Sequence, residues 1–274
     1  MAPVQIAAVQ QVCRMRGGSQ SQLMRCSDGE YYVVKFQNNP QGIRTLANEL
    51  LATALADCLG LPVAPSGVVN VSQDLVEYSD EMFVDLGRQR IRLRPGLCFG
   101  SRYQPSGETR NGQTSNVSHN YLPKHEMPYV VNAADFAGML VFDKWAGNLD
   151  SRQVVFVPNC PTHRAVMVDH GLCFGGFRWD FPDCPAQGLH SPPIVYGSIR
   201  SFRTFEPWLD RLEREVDATA LSSAAQEIPT EWYGEDKSSL SRLLDELDHR
   251  RKTVTIQLLR TVRSFPQLFP HWRR

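Results

Sequence analysis

A single helical segment is inserted into an otherwise β-patterned first third, and the chain turns mostly helical only after residue 128. That order is the tightest constraint on its fold. Val12–Met15 and Gln22–Cys26 flank Arg16-Gly17-Gly18-Ser19-Gln20-Ser21, a small, polar, glycine-bearing connection that reads as a hairpin. Ser27-Asp28-Gly29 supplies a second turn, because Asp-Gly tolerates the positive φ a tight hairpin needs. Tyr31–Phe36, aromatic and β-branched, follows as a strand bearing Lys35, and Asn38–Gly42 as a loop. From Thr45 to Leu59 the period becomes helical. Leu46, Leu50, Ala54 and Cys58 share one face, Gly60 stands where a left-handed cap is expected, and Pro62 forbids continuation. Val68, Val69 and Val71 form another strand, and Met82–Leu86 with Arg88–Leu93 another hairpin, stopped by Pro95. The resulting β-β-β-α-β-β order is not the repeated alternation of a doubly wound sheet.

Residues 100–128 are rich in Gly, Ser, Asn and Pro, and a loop of this length is usually functional or disordered. A helix capped by Asn132 or Asp135 is expected to run to about Ala146. Strands follow at Val154–Val157 and Ala165–Val168, then a proline-rich stretch over Asp180–Pro193. Two more helices are expected near Pro207–Ala225 and Ser238–Arg260. The expected architecture is α+β and bilobal: a small β-rich N-lobe over 1–100, a connection over 101–128 and a larger α-rich C-lobe over 129–274.

Charge narrows the function classes. The 274 residues carry 29 Lys+Arg and 29 Asp+Glu, so a protein that coats nucleic acid or an anionic membrane is not expected. The most apolar stretch, Val130–Trp145, is broken by Asp135 and Asp143, and no run reaches a membrane span. The first residues show neither a basic region nor a cleavage site of a signal peptide, so a cytoplasmic location is expected. Seven scattered cysteines without a C-x-x-C read as free thiols. Cys160-x-x-His163 and His170-x-x-Cys173 have zinc-type ligands, but the intervening strand, at about 3.3 Å per residue, holds the pairs too far apart to share one ion.

Four features bear chemistry. The Gly17–Gln22 turn can lay backbone N–H groups over phosphates, although an ordinary hairpin turn has the same composition. Lys35 ends an apolar strand and Glu49 lies 14 residues on in a helix, so the lysine can reach phosphate oxygens while the glutamate holds it. Alone, each of these residues is as well explained by a solvated surface. In Asp143-Lys-Trp-Ala-Gly-Asn148-Leu-Asp150-Ser-Arg-Gln153, acids and amides crowd a helix-to-strand loop. An Asp there can accept the proton of an attacking hydroxyl, and a neighbouring side-chain oxygen can bind metal. The alternative is a loop whose Asn and Asp satisfy turn backbone. Finally, Asp169 follows a strand and precedes Gly171, a placement suited to a divalent ion or to a simple turn.

Together, Gly17-Gly18-Ser19-Gln20, Val34-Lys35, Asn48-Glu49, Asp143-x-Trp145-x-x-Asn148-x-Asp150 and Val168-Asp169-x-Gly171 resemble the HipA-like kinases. This is a bacterial branch of the protein-kinase superfamily, itself similar to phosphatidylinositol 4-kinases. The likeness runs from about Val12 to Leu259 and takes in Ile228-Pro229-x-Glu231-Trp232 and Leu247-x-x-Arg250-Arg251. Its most specific part is Asp150 and Asp169, 19 residues apart. The resemblance implies a protein-kinase-like fold that uses ATP with Mg²⁺, or Mn²⁺, to phosphorylate a hydroxyl acceptor, a protein Ser/Thr or a small molecule. It implies that Gly17, Gly18, Ser19 and Gln20 cover the nucleotide and that Lys35, paired with Glu49, contacts its phosphates. Asp150 would be the catalytic carboxylate, and Asp169 a metal ligand. Gln153 stands where many relatives place Asn as a second metal ligand, and His170 replaces the Phe of Asp-Phe-Gly. A nucleotide-binding pseudokinase, an AMP transferase and a lipid or small-molecule kinase are the alternatives.

Two basic features stand outside this scheme. Arg88, Arg90, Arg92 and Arg94 alternate along one strand face, where they could meet a phosphorylated, acidic or nucleic-acid partner or simply be solvated. The last 34 residues carry a net charge of +5, expected for a solvated helix and a frayed tail.

Overall fold

The structure, a computed structural model, describes residues 6–104, 121–159, 161–234 and 236–273. The first residues, the 105–120 portion of the expected connection, and Cys160 lie outside the described residues.

Five strands close into a barrel in the order β1 (Ile6–Arg14), β2 (Gln22–Cys26), β3 (Tyr31–Lys35), β7 (Gly96–Arg102), β4 (Ser66–Val71). β4 returns parallel to β1, pairing Val69 with Ile6. The first two hairpins stand where their turns place them, and Gly29 takes the expected positive φ of 86°. β7 corrects the expected order: the chain does not become loop at residue 100. Gly96 and Gly100 break the apolar pattern that marks a strand, yet Gly100 is required inside it. A Cβ there would lie 2.5 Å from Val69 Cγ2 on the neighbouring strand β4. β5 (Phe83–Asp85) and β6 (Arg90–Arg92) form the expected separate hairpin. A short helix, α2 (Gln73–Tyr78), precedes it; the Ser72 hydroxyl caps α2 by accepting from Leu75 N.

α1 (Arg44–Cys58) is buried from Thr45 to Ala52 without a polar face, because it lies between the barrel and the C-lobe. Gly60, φ 71°, ends it as expected. α3 (Asp135–Ala146) is buried from Phe136 onward and forms the centre of the C-lobe, ending at Gly147 in the left-handed region. A glycine is also needed within α3, since a Cβ on Gly138 would lie 2.3 Å from the Trp208 ring. The hairpin of β8 (Gln153–Asn159) and β9 (Thr162–Val168) follows.

The last two expected helices are each broken in two. α4 (Glu206–Glu215) stops before Asp217, whose extended backbone and carboxylate cap α5 (Ala218–Gln226) through Ala220 N at 2.8 Å. α6 (Lys237–Arg251) ends where Arg250 turns inward, donating to the carbonyls of Trp145 and Lys144 at 2.7 Å each. α7 (Val254–Ser264) then starts anew. One apolar cluster runs from α1 through α3 to α7, and a second fills the barrel. Among the described residues, no helix is long and apolar enough to cross a membrane. The six described cysteines are free thiols.

Candidate active site

β3 delivers Lys35 to the floor of the barrel and α1 brings Glu49 beneath it. The Lys35 ammonium is hydrogen-bonded to Glu49 Oε1 and lies 2.8 Å from Asp169 Oδ1. Residues separated by 134 positions thus meet at one cation. Burial works against the Lys35 charge, but the two carboxylates outweigh it and its pKa is raised. Burial also pushes Glu49 upward. Burial would raise Asp169 as well, yet Lys35 beside it holds that carboxyl at about 2. Asp169 is therefore an anion at neutral pH, with 30 % of its side chain exposed to the cleft.

The segment after Asp169 is pinned by α1. Asn48, fully buried, donates its amide to the carbonyls of Gly171, Cys173 and Gly176 at 2.8, 3.0 and 3.0 Å. Its oxygen accepts from Trp179 Nε1 at 2.7 Å, and Glu49 Oε2 accepts from His170 N at 3.0 Å. Non-glycine residues with positive φ gather in this segment: Asp169 at 60°, Phe174 at 63°, Trp179 at 59° and Phe181 at 46°. Such conformations cost about 1–3 kcal/mol each and persist only where the surroundings enforce them. Asn48, through its bonds to Gly171, Cys173, Gly176 and Trp179, is one of the residues that restrain this backbone, with Lys35 on Asp169 and Glu49 on His170 N. The sequence reading quoted Asn48 beside Glu49 without a role, because its partners are carbonyls more than 120 residues away.

Asp150 stands on the loop between α3 and β8, its carboxylate exposed. Behind it, Asp143 is fully buried and accepts from Arg152 Nε at 2.9 Å, Arg152 Nη2 at 2.5 Å and Asn148 Nδ2 at 2.9 Å. Burial opposes the Arg152 charge, and Asp143 more than restores it. Arg152 also donates to the Val168 carbonyl at 2.9 Å, tying the Asp150 loop to the strand that presents Asp169. Asn148 Oδ1 accepts from Asp150 N at 3.1 Å, and the Asp150 carbonyl accepts from Gly188 N at 2.8 Å. Gln153, exposed on β8, reaches Asp150 Oδ2 through its amide at 3.5 Å.

One cleft of about 430 Å³ between the lobes brings these groups together, lined by Lys35, Glu49, Asp150, Gln153 and Asp169. Val33 and Phe99 from the barrel strands and Val155 and Val168 from the β8–β9 hairpin give it apolar walls. Gly17, Gly18 and Ser19 overhang it. Gln20 does not line it: its side chain turns to β5, donating to the Asp85 carbonyl at 2.7 Å and accepting from Asp85 N at 2.8 Å. That pair of bonds holds the glycine turn over the cleft. The sequence reading grouped Gln20 with the nucleotide contacts; its side chain instead anchors the turn.

The family model for HipA-like kinases matches residues 8–261. The chain belongs to the HipA-like kinase family. No curated protein sequence matches it. This kinase is similar in fold to hydra Fam20 solved with sugar, at 13 % identity and TM-score 0.50, over 95 % of this chain and 85 % of that one. It is similarly related to HipA of Shewanella oneidensis MR-1, from a complex with HipB and operator DNA, at 10 % identity and TM-score 0.50 over 92 % and 72 % of the two chains. The Helicobacter pylori proinflammatory kinase CtkA matches at 13 % identity and TM-score 0.48, over 89 % of this chain and 95 % of that one.

The residues present suit a small divalent cation held chiefly by nucleotide phosphates. Such an ion needs only one or two protein carboxylates, and hard oxygen donors are what the cleft offers in Asp169, Asp150 and the Gln153 amide. No group of three or more His, Cys, Asp or Glu able to hold a metal by itself occurs among the described residues.

Proposed function

We propose that this kinase moves the γ-phosphoryl group of ATP to a hydroxyl acceptor, a Ser or Thr side chain of a protein. The observation that carries this reading is the convergence of Lys35, Asp169 and an exposed Asp150 on the cleft beneath the glycine turn. Lys35, oriented by Glu49, donates N–H bonds to the nucleotide phosphates, while the backbone of Gly17, Gly18 and Ser19 covers them. Asp169 and Gln153 would hold Mg²⁺ or Mn²⁺, which when bound would neutralise phosphate charge. Asp150 accepts the proton as the acceptor oxygen bonds to phosphorus; the bond from phosphorus to the β,γ-bridging oxygen breaks and ADP departs. Positioning supplies most of the rate in such a reaction, which accounts for two buried networks spent on holding two loops.

The test is ATP consumption by the purified protein with Mg²⁺ or Mn²⁺, beside Asp150→Ala and Asp169→Ala. The expected result is ADP, together with acceptor or protein mass raised by one phosphate. Loss of Asp150 should cost about 10²–10⁴-fold in kcat with little change in stability, because its carboxylate is exposed. AMP in place of ADP would establish nucleotidyl transfer instead, and tight ATP binding without turnover on any supplied acceptor would establish a pseudokinase.

A further inference from the structure

The basic C-terminal region is not a frayed tail. Phe269 packs against Tyr196 with ring centroids 5.4 Å apart, Trp272 against Phe205 at 6.1 Å, and Arg273 N donates to the Arg200 carbonyl at 2.6 Å. These contacts join two stretches of sequence, 184–205 and 249–274, neither of which contains a single Asp or Glu. In a chain of zero net charge, two acid-free segments have been folded onto one face.

An open groove of about 1140 Å³ runs along the seam. Its floor is apolar, made by Leu259, Val262, Phe269 and Trp272. Arg203, Arg263 and Arg273 stand on its rim, and Arg200 adjoins it beside Trp272. All four arginines are exposed. The ion pairs of this region belong to Arg250 and Arg251; among the described residues these four arginines form none. No acidic residue lines the groove, and none of its residues lines the nucleotide cleft. Like charges gathered around an apolar trough repel one another, and an anionic occupant relieves that repulsion while covering the apolar floor.

We infer that this face docks an acidic polypeptide segment of a partner protein, anchored by aromatic or aliphatic side chains. The charge complement calls for Asp and Glu, and the floor calls for side chains that insert, as in helix-in-groove and strand-like recognition. A nucleic-acid backbone would satisfy the arginines but leave the floor uncovered. The groove and the nucleotide cleft share no lining residue, so binding here is expected also in a variant whose cleft is inactive.

The test pans a library of random displayed peptides on the intact protein and, in parallel, on Arg203→Glu/Arg263→Glu. Both positions are exposed, and unchanged circular dichroism confirms the fold. The expected result is enrichment of peptides that combine Asp or Glu with Trp, Phe or Leu. Their binding should weaken at least about tenfold in the double variant and fall with rising salt. Failure to select peptides that depend on these arginines, or selection of peptides lacking acids, overturns the inference. So does a single-stranded oligonucleotide that binds the same arginines more tightly than any selected peptide.

Discussion

Replacing Asn48 by leucine keeps the side-chain volume and removes four hydrogen bonds at once. Three carbonyls after Asp169 and the Trp179 indole then lose their partner. Each buried group left unmet costs about 1–3 kcal/mol, and the strained backbone it restrains is free to relax. We expect Asn48→Leu to lower stability by roughly 2–4 kcal/mol in denaturant unfolding. In the variant that still folds, kcat should fall and the Mg²⁺ requirement rise, because Asp169 is no longer held in place. Asn48→Asp should behave no better, since it sets a carboxylate against three carbonyl oxygens. The Asp143–Arg152 pair makes a parallel case. Arg152→Met strands a buried carboxylate and should cost about 3–5 kcal/mol, whereas the double change with Asp143→Leu should cost less than the two single changes combined; chemical denaturation of all three variants checks this. At this scale Lys35, Glu49, Asp150 and Asp169 line one cleft; type and spacing left each as well explained by a surface or a turn, and it was the family resemblance that grouped them. The roles of the residues that hold them were not legible. Asn48 and Gln20 act on backbone groups far along the chain, and no local pattern reports such a partner.

At the scale of elements, the departures from expectation share a cause. β7 was hidden by Gly96 and Gly100, glycines that read as loop but are called for by a positive φ of 111° at the first and by the Val69 side chain of the neighbouring strand at the second. Gly100→Ala pushes a methyl into Val69 and should cost about 1–3 kcal/mol, measurable as a lowered Tm. The helices expected over 207–225 and 238–260 are continuous in apolar period but broken by residues with business elsewhere: Asp217, which caps α5, and Arg250, which faces α3 and Asp183. Asp217→Ala should cost about 1 kcal/mol, a fall of about 2–4 °C in Tm. α2 was missed because six residues are too few to show a period. α1 and α3 were legible because burial dictates nearly every side chain in them, and β3 because its aromatic and β-branched residues are strand formers.

At the scale of the whole molecule, stability is expected to fall in acid because of one buried histidine. His190 is buried between Phe136 and Phe156, at 5.3 and 6.2 Å between ring centroids, with Nδ1 2.9 Å from the Arg152 carbonyl. Burial lowers its pKa, and the carbonyl pulling the other way does not offset it. A depressed histidine pKa contributes stability that is present above the unfolded value of about 6.5 and is lost as pH falls through the folded value. Unfolding midpoints taken from pH 7 down to about 5 should therefore decline, and His190→Gln should flatten part of that decline. A wild-type midpoint that does not change across this range would refute the assignment. The lobes are also stitched at long range: Trp232 donates to the Leu97 carbonyl at 3.0 Å and Gln37 to Glu231 at 2.6 Å, joining β7 and the barrel to the C-lobe.

α1 lies between the barrel and the C-lobe, buried from Thr45 to Thr53 and bonded through Asn48 and Glu49 to the segment that presents Asp169. Its amide exchange should be equally slow with and without ADP. Those bonds tie the lysine pair to the backbone after Asp169, so that α1 and this segment are expected to move, if they move, as one body. An exchange rate that changes on ADP addition in α1 but not in the segment after Asp169 would refute that expectation.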